Sequence, residues 1–108
     1  MTETETDAAQ ARSFALDRFR EILIVIAGAS KRGESSDPET DETLRQYVQD
    51  IAKVVEAGNS TEAVRRLMIL ADQIPKQHIT GLHGSEATRW RTVVLRLGEA
   101  RVALEDCP

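Results

Sequence analysis

Residues 11–27 read ARSFALDRFREILIVIA, and this stretch admits two structural interpretations. The segment Ile22–Ile26 is rich in β-branched residues, which is typical of a buried strand. Apolar residues also recur at the three- and four-residue spacings of a helix face, at Ala11, Ala15, Phe19, Ile22 and Ile26. Because that spacing continues two turns upstream of the β-branched run, we predict a helix over residues 7–27.

The second and third helices are predicted from residues that commonly stand at helix boundaries. Asp37-Pro38 offers an N-cap followed by proline at the first helical position, and Gly58 is a natural stop. Asn59 and Glu62 have the spacing of a capping box. We therefore predict the second helix over residues 38–57 and the third over residues 60–74, before Pro75.

A fourth helix is predicted over residues 85–105, with Ser85 as its cap. Gly98 stands inside this helix, at a cost of about 1 kcal/mol relative to alanine, and we expect it to permit close approach of a neighbouring helix. The core-facing residues predicted for the last three helices are Leu44, Tyr47, Val48, Ile51, Val54 and Val55; Val64, Leu67, Met68, Ala71 and Ile74; and Ala87, Trp90, Val94, Leu97 and Leu104, flanked by Val93 and Ala100.

These elements predict an all-α fold, an antiparallel four-helix bundle with a shorter third helix. The connection between the second and third helices is short enough to make them antiparallel neighbours. We expect residues 1–6 to be a disordered acidic N-terminus and residues 7–106 to form one domain. The polar stretch Gly28–Ser36 is interpreted as a flexible connection.

The composition excludes several classes of protein. The net charge is −4 and 41% of residues are apolar, without a run long enough for a membrane span. The N-terminal segment does not resemble a secretory signal, so we expect a cytoplasmic protein. Eleven arginines against three lysines are typical of a genome rich in G and C, such as that of an actinobacterium.

The segment after Ile26 resembles a phosphate-binding loop only in part. Gly28 and Gly33 have the spacing of that motif, and Ser35 stands where a magnesium ligand would be. Glu34, however, replaces the lysine, and its negative charge would repel phosphate. We therefore predict a connection between helices and no nucleotide site.

No set of residues has the spacing of a metal or catalytic site. His78 and His83 lie in one loop, and the single cysteine, Cys107, follows 24 residues later. A zinc site needs about four ligands at characteristic spacings, and the carboxylates show no such pattern. We predict no catalytic residue, no cofactor and no metal.

Three apolar residues are candidates for partner binding. Ile24 and Val25 exceed what one face of the first helix can bury, so they are candidates for contact with a protein partner or a second copy. Trp90 is a candidate for the centre of an interface. Core packing, with the polar tip satisfied, is the favoured interpretation of both Trp90 and Tyr47.

The arginines of the third and fourth helices are candidates for phosphate binding. They are Arg65, Arg66, Arg89 and Arg96. Interleaved acidic residues favour solvated, salt-bridged helix faces instead. Arg101 interrupts an apolar face, so we predict a buried structural ion pair with Asp50 or Glu56.

Two segments, DETLRQYVQDIAKVVE at 41–56 and RTVVLRLGEARVAL at 91–104, resemble a group of small helical proteins from streptomycetes. In that group a helix containing Leu-Arg-Gly precedes one that ends in Gly-Glu-Ala-Arg, which is matched here by Gly98–Arg101. Gln46 stands where the group has glycine. The resemblance implies a lineage and no activity.

Three functions follow from these patterns. The first is a non-catalytic protein-interaction or regulatory module, including one that self-associates. The alternatives are a nucleic-acid-binding protein that uses the arginine-rich helices, and a small-ligand binder or enzyme with a pocket between helices.

Overall fold

A computed structural model describes residues 3–33, 38–73 and 84–105. Its helices are α1 Glu3–Arg32, α2 Pro38–Glu56, α3 Ser60–Gln73 and α4 Gly84–Glu105. Both α1 and α3 pack against α2 and α4, so that each helix has two neighbours around a common axis. No strand occurs among the described residues. The predicted four-helix bundle is confirmed, and α3 is the shortest of the described helices, with 14 residues.

All four helices contribute to one continuous core. Its largest fully buried side chains include Phe19, Ile22, Leu44, Ile51 and Leu67. The β-branched run of α1 is thus helical, and its periodic residues face inward as predicted. The remaining members of the core are Ala15, Ile26, Val48, Val55, Ala63, Leu70, Trp90, Val93, Leu97, Ala100 and Leu104.

Helix α1 is longer than predicted at both ends. It begins at Glu3, four residues before the predicted start, and continues to Arg32. The interpretation of Gly28–Arg32 as a flexible connection is therefore wrong. Ala29 is fully buried, so the apolar stripe of α1 extends beyond Gly28. The helix ends where Gly33 adopts a φ of 67°, a conformation that favours glycine.

Two residues predicted to face the core point outward. Tyr47 is 51% exposed and Met68 is 52% exposed, while Leu70 of α3 is buried. Met68 and Leu70 are two positions apart, which separates them by about 200° around a helix, so they cannot face the same core. On α4, Val93, which was expected only to flank the core, is buried, whereas Val94 is half-buried.

The short turn between α2 and α3 confirms two predicted boundary residues. Gly58 adopts a φ of 84°, and its N–H donates to the Val55 carbonyl at 2.9 Å. Asn59 Oδ1 accepts a hydrogen bond from the Glu62 N–H at 3.2 Å, which is the N-cap contact. The Asn59 N–H donates to the Val54 carbonyl at 3.1 Å rather than to Glu62. The capping box is therefore only half formed.

Several predicted features lie outside the described residues. They are the cap at Asp37, the segment from Glu34 to Ser36, Ile74, the stop at Pro75, and the first two residues of the chain. The side chain of Ser85 is likewise not described.

Candidate functional site

Seven large apolar side chains are exposed among those that the structure describes, and six of them line one of three surface grooves beside α3 or α4. Met68 and Ile69 lie on α3, and Leu95 and Val102 lie on α4. Phe14 of α1 and Tyr47 of α2 flank them. We call these six residues, with Arg101, the α3–α4 surface: Phe14, Tyr47, Met68, Ile69, Leu95, Val102 and Arg101.

The first part of this surface is a shallow groove of about 600 Å³ on the outer side of α4. Gly98 forms part of it, and a Cβ added there would meet nothing within 4 Å. The expectation that Gly98 permits close helix packing is therefore wrong. The lining is mostly apolar and comprises Phe14, Val94, Leu95, Gly98, Glu99, Arg101, Val102 and Ala103.

The second part is a groove of about 270 Å³ between α2 and α3. Tyr47 and Ile69 line it beside Asp50 and the two arginines Arg65 and Arg66. Its lining therefore combines apolar and charged side chains.

A third depression, of about 510 Å³, connects the other two. Met68, Ile69 and Asp72 of α3 line it together with Arg101 of α4. Ile69 also lines the second groove and Arg101 also lines the first, so shared lining residues link the three grooves into one band.

The predicted partner residues of α1 do not form such a band. Ile24 is 64% exposed, but Arg20, one turn earlier, is paired with Asp17 at 3.5 Å, and Lys31 is exposed two turns later. Val25 packs against the core. Ile24 therefore stands among charged residues, and Val25 is only partly exposed.

The two amphipathic aromatic residues have opposite environments. Trp90 is 4% exposed and belongs to the core, so core packing is confirmed for it and its use in a surface contact is excluded in this fold. The same prediction is wrong for Tyr47, whose ring lines the groove between α2 and α3.

Glu62 holds both candidate arginines of α3. Arg65 Nε donates to Glu62 Oε2 at 2.8 Å, and Arg66 Nε donates to Glu62 Oε1 at 3.0 Å. Hydrogen bonds from Arg65 and then Arg66 lower the pKa of Glu62 from 4.5 to about 2. This carboxylate therefore stays ionised and offsets part of the positive charge that a phosphate would meet.

Arg96, the candidate of α4, belongs to a closed ring of alternating charges between α1 and α4. Arg96 Nε lies 3.1 Å from Glu21 Oε2, and its Nη1 donates to Glu99 Oε1 at 2.5 Å. Arg18 completes the ring, at 3.2 Å from Glu21 and 3.7 Å from Glu99. The Arg18 guanidinium also stacks 4.9 Å from the centre of the Phe14 ring.

The remaining arginines of α4 also differ from prediction. Arg89 is buried, so it is not part of an exposed basic face. Arg101 Nε lies 3.5 Å from Glu105 Oε1 of the same helix, and both side chains are partly exposed. The predicted buried pair of Arg101 with Asp50 or Glu56 is therefore wrong, since its partner lies one turn away on the same helix.

The structure describes no group of three or more potential metal ligands within residues 3–33, 38–73 and 84–105. His78, His83 and Cys107 lie outside these ranges. None of the described helices is both long enough and apolar enough to cross a bilayer.

Comparison of the chain with models of known protein families, with curated proteins and with solved structures finds no match. The site must therefore be interpreted from its own geometry. Sequence reasoning missed Leu95, Val102, Met68 and Ile69 as exposed residues. The sequence contained a signal for Leu95 and Val102. With Gly98 they recur at three- and four-residue spacing, on the side of α4 opposite Leu97 and Ala100.

Proposed function

We propose that this chain is a non-catalytic protein-interaction module, and that its α3–α4 surface binds a partner. The supporting observation is that six of the seven exposed large apolar side chains lie on this surface. Apolar area gains about 25 cal/mol per Å² when it leaves water. A contiguous exposed apolar band is therefore a common mark of a protein-binding site.

The geometry of the charged residues gives less support to nucleic-acid binding. Arg65, Arg66 and Arg96 each contact a carboxylate, and Arg89 is buried. Phosphate binding would require these pairs to open. Nucleic-acid binding stays an alternative, and retention on DNA or RNA at about 50 mM salt tests it.

The three grooves give similarly limited support to a small-ligand site, because two of them lie open on the surface and the groove between α2 and α3 is only half enclosed. Ligand sites usually bury most of the ligand among a few convergent polar groups. A cytoplasmic location and a streptomycete lineage belong to the proposal, the second supported by the excess of arginine over lysine and by the Gly98–Arg101 resemblance.

Size-exclusion chromatography of extracts from cells that produce the chain tests the proposed function. The wild-type chain is expected to elute well above its own mass of 12.0 kDa. Leu95→Glu and Ile69→Glu should move the chain toward its monomer position, because each places a charge in an apolar contact.

Ile24→Glu is the matched control, since Ile24 is an equally large exposed residue outside the α3–α4 surface. This variant should keep the wild-type elution. A wild-type chain that elutes as a monomer, or a control that changes elution as much as the two test variants, contradicts the proposal.

A further inference from the structure

The outward side of α4 carries a short heptad pattern. Arg91, Leu95, Gly98, Val102 and Glu105 follow one another at spacings of four, three, four and three. This is the spacing at which residues line the seam between two packed helices. Leu95 and Val102 are exposed, and the groove around Gly98 is open. We call these five residues the α4 seam.

The α4 seam is complementary to itself in one orientation. Arg91 stands seven residues before Gly98, and Glu105 stands seven residues after it. Two copies of α4 that cross antiparallel at Gly98 place Arg91 of each copy opposite Glu105 of the other. The same crossing brings Leu95, three residues before Gly98, to within one residue of the level of Val102, four residues after it, in both halves of the contact.

We propose that the occupant of the α4 groove is a second copy of this chain, bound antiparallel about a twofold axis at Gly98. A twofold contact uses the same patch on both copies, which requires a patch that complements itself. A parallel contact would instead oppose Arg91 to Arg91 and Glu105 to Glu105. The charges therefore favour the antiparallel orientation.

The environment of the charged ends agrees with this arrangement. Arg91 is exposed, and no ion pair involves it among the described residues. Glu105 is 45% exposed and its only described contact is the 3.5 Å pair with Arg101. Both groups can therefore reach across a contact without breaking a buried network.

The length of the seam sets the expected affinity. The fifteen helical residues from Arg91 to Glu105 span about 21 Å. Such a contact is smaller than a standard interface, which buries about 800 Å² on each partner. We therefore expect a weak dimer, with a dissociation constant of about 10 to 1000 μM.

Charge reversal with rescue tests this arrangement, which rests on the proposed function. In sedimentation equilibrium of the purified chain at low salt, Arg91→Glu and Glu105→Arg should each weaken the dimer about tenfold, because each opposes like charges at both ends. An equimolar mixture of these two variants should recover wild-type association. The double variant Arg91→Glu/Glu105→Arg should also recover it.

Arg20→Glu is the matched control, because it changes the net charge as Arg91→Glu does but lies on α1 beside Ile24. It should leave the dimer unchanged, and circular dichroism establishes that every variant is folded. Recovery in the mixture supports the seam. A wild-type chain that stays monomeric at about 1 mM, or association that the reversals do not alter, overturns it.

The two proposals fail in different ways. If the chain is monomeric when pure but belongs to a larger assembly in extracts, and Leu95→Glu disrupts that assembly, the proposed function stands and the dimer proposal fails. If the chain is monomeric both when pure and in extracts, both proposals fail.

Discussion

At the scale of single residues, the Glu62 carboxylate offsets the positive charge of the arginines that were candidates for phosphate binding. Sequence spacing assigned Glu62 to the Asn59 cap, and interleaved acidic residues favoured salt-bridged helix faces over phosphate binding for Arg65 and Arg66. The carboxylate binds both guanidinium groups within one turn of α3, as that interpretation expects. Pairs three and four residues apart on a helix are neighbours, so this contact was within reach of sequence reasoning.

We predict that the Glu62 carboxyl titrates near pH 2. Because Arg65 and Arg66 lower its folded-state pKa from 4.5 to about 2, the contacts stabilise the fold above about pH 4.5 and this contribution is lost as the pH falls through 2. Carboxyl carbon chemical shifts followed by NMR from neutral to acid pH measure the midpoint. In Arg65→Gln the midpoint should rise, and a wild-type midpoint at 4.5 would show that the contacts do not form in solution.

We also predict that Gly98→Ala stabilises the chain by about 1 kcal/mol. A Cβ at this position meets nothing within 4 Å, so the substitution adds helix propensity without a clash. Thermal unfolding at low protein concentration, where the chain is monomeric, measures the change. A loss of stability would mean that another helix packs closely on Gly98, as the sequence alone suggested.

At the scale of helices, the core-facing residues were predicted mostly correctly where apolar residues follow one side of the helix. They were predicted less well where consecutive apolar residues point in several directions. Helices α1 and α2 have a dominant stripe, and most of its members are buried. Helix α4 carries Val93, Val94 and Leu95 in succession, so apolar residues point in three directions. Only the positions of α1 and α3 determine that Val93 faces the core and Leu95 faces water.

The ring of charges between α1 and α4 was also beyond sequence reasoning, since it depends on the relative height of two helices distant in the chain. We predict a coupling free energy of about 0.5 kcal/mol between Glu21 and Arg96 in a double-mutant cycle with glutamine substitutions. The value is modest because the side chains are partly exposed, and because Arg18 Nε and Glu21 Oε2 make no hydrogen bond within the described residues.

Denaturant unfolding of the wild type, the two single variants and the double variant measures this coupling, which should decrease in high salt. A cycle between Arg45 and Glu21, which do not contact each other, provides the additive control. Coupling that is zero at low salt would place Arg96 outside the ring.

At the scale of the whole molecule, the sequence was sufficient for the architecture and insufficient for its binding surface. Helix periodicity and boundary residues are local, so they predicted four helices with useful accuracy. The exposure of a side chain depends on the assembled bundle. The sequence indicated Ile24 and Val25 of α1 as candidate binding residues, whereas most exposed large apolar residues lie on the α3–α4 surface. Tyr47 lines a groove instead of the core for the same reason, whereas Trp90 is buried as predicted.

The binding role of the α3–α4 surface is tested most directly by photo-crosslinking in the cells that produce the chain. A photoreactive amino acid at Leu95 or at Ile69 should form a crosslink to a protein, either a second copy or another chain. The same group at Ile24 should form none above background. Crosslinks at Ile24 with none at Leu95 and Ile69, or crosslinks at Leu95 and Ile69 to nucleic acid alone, would contradict the account.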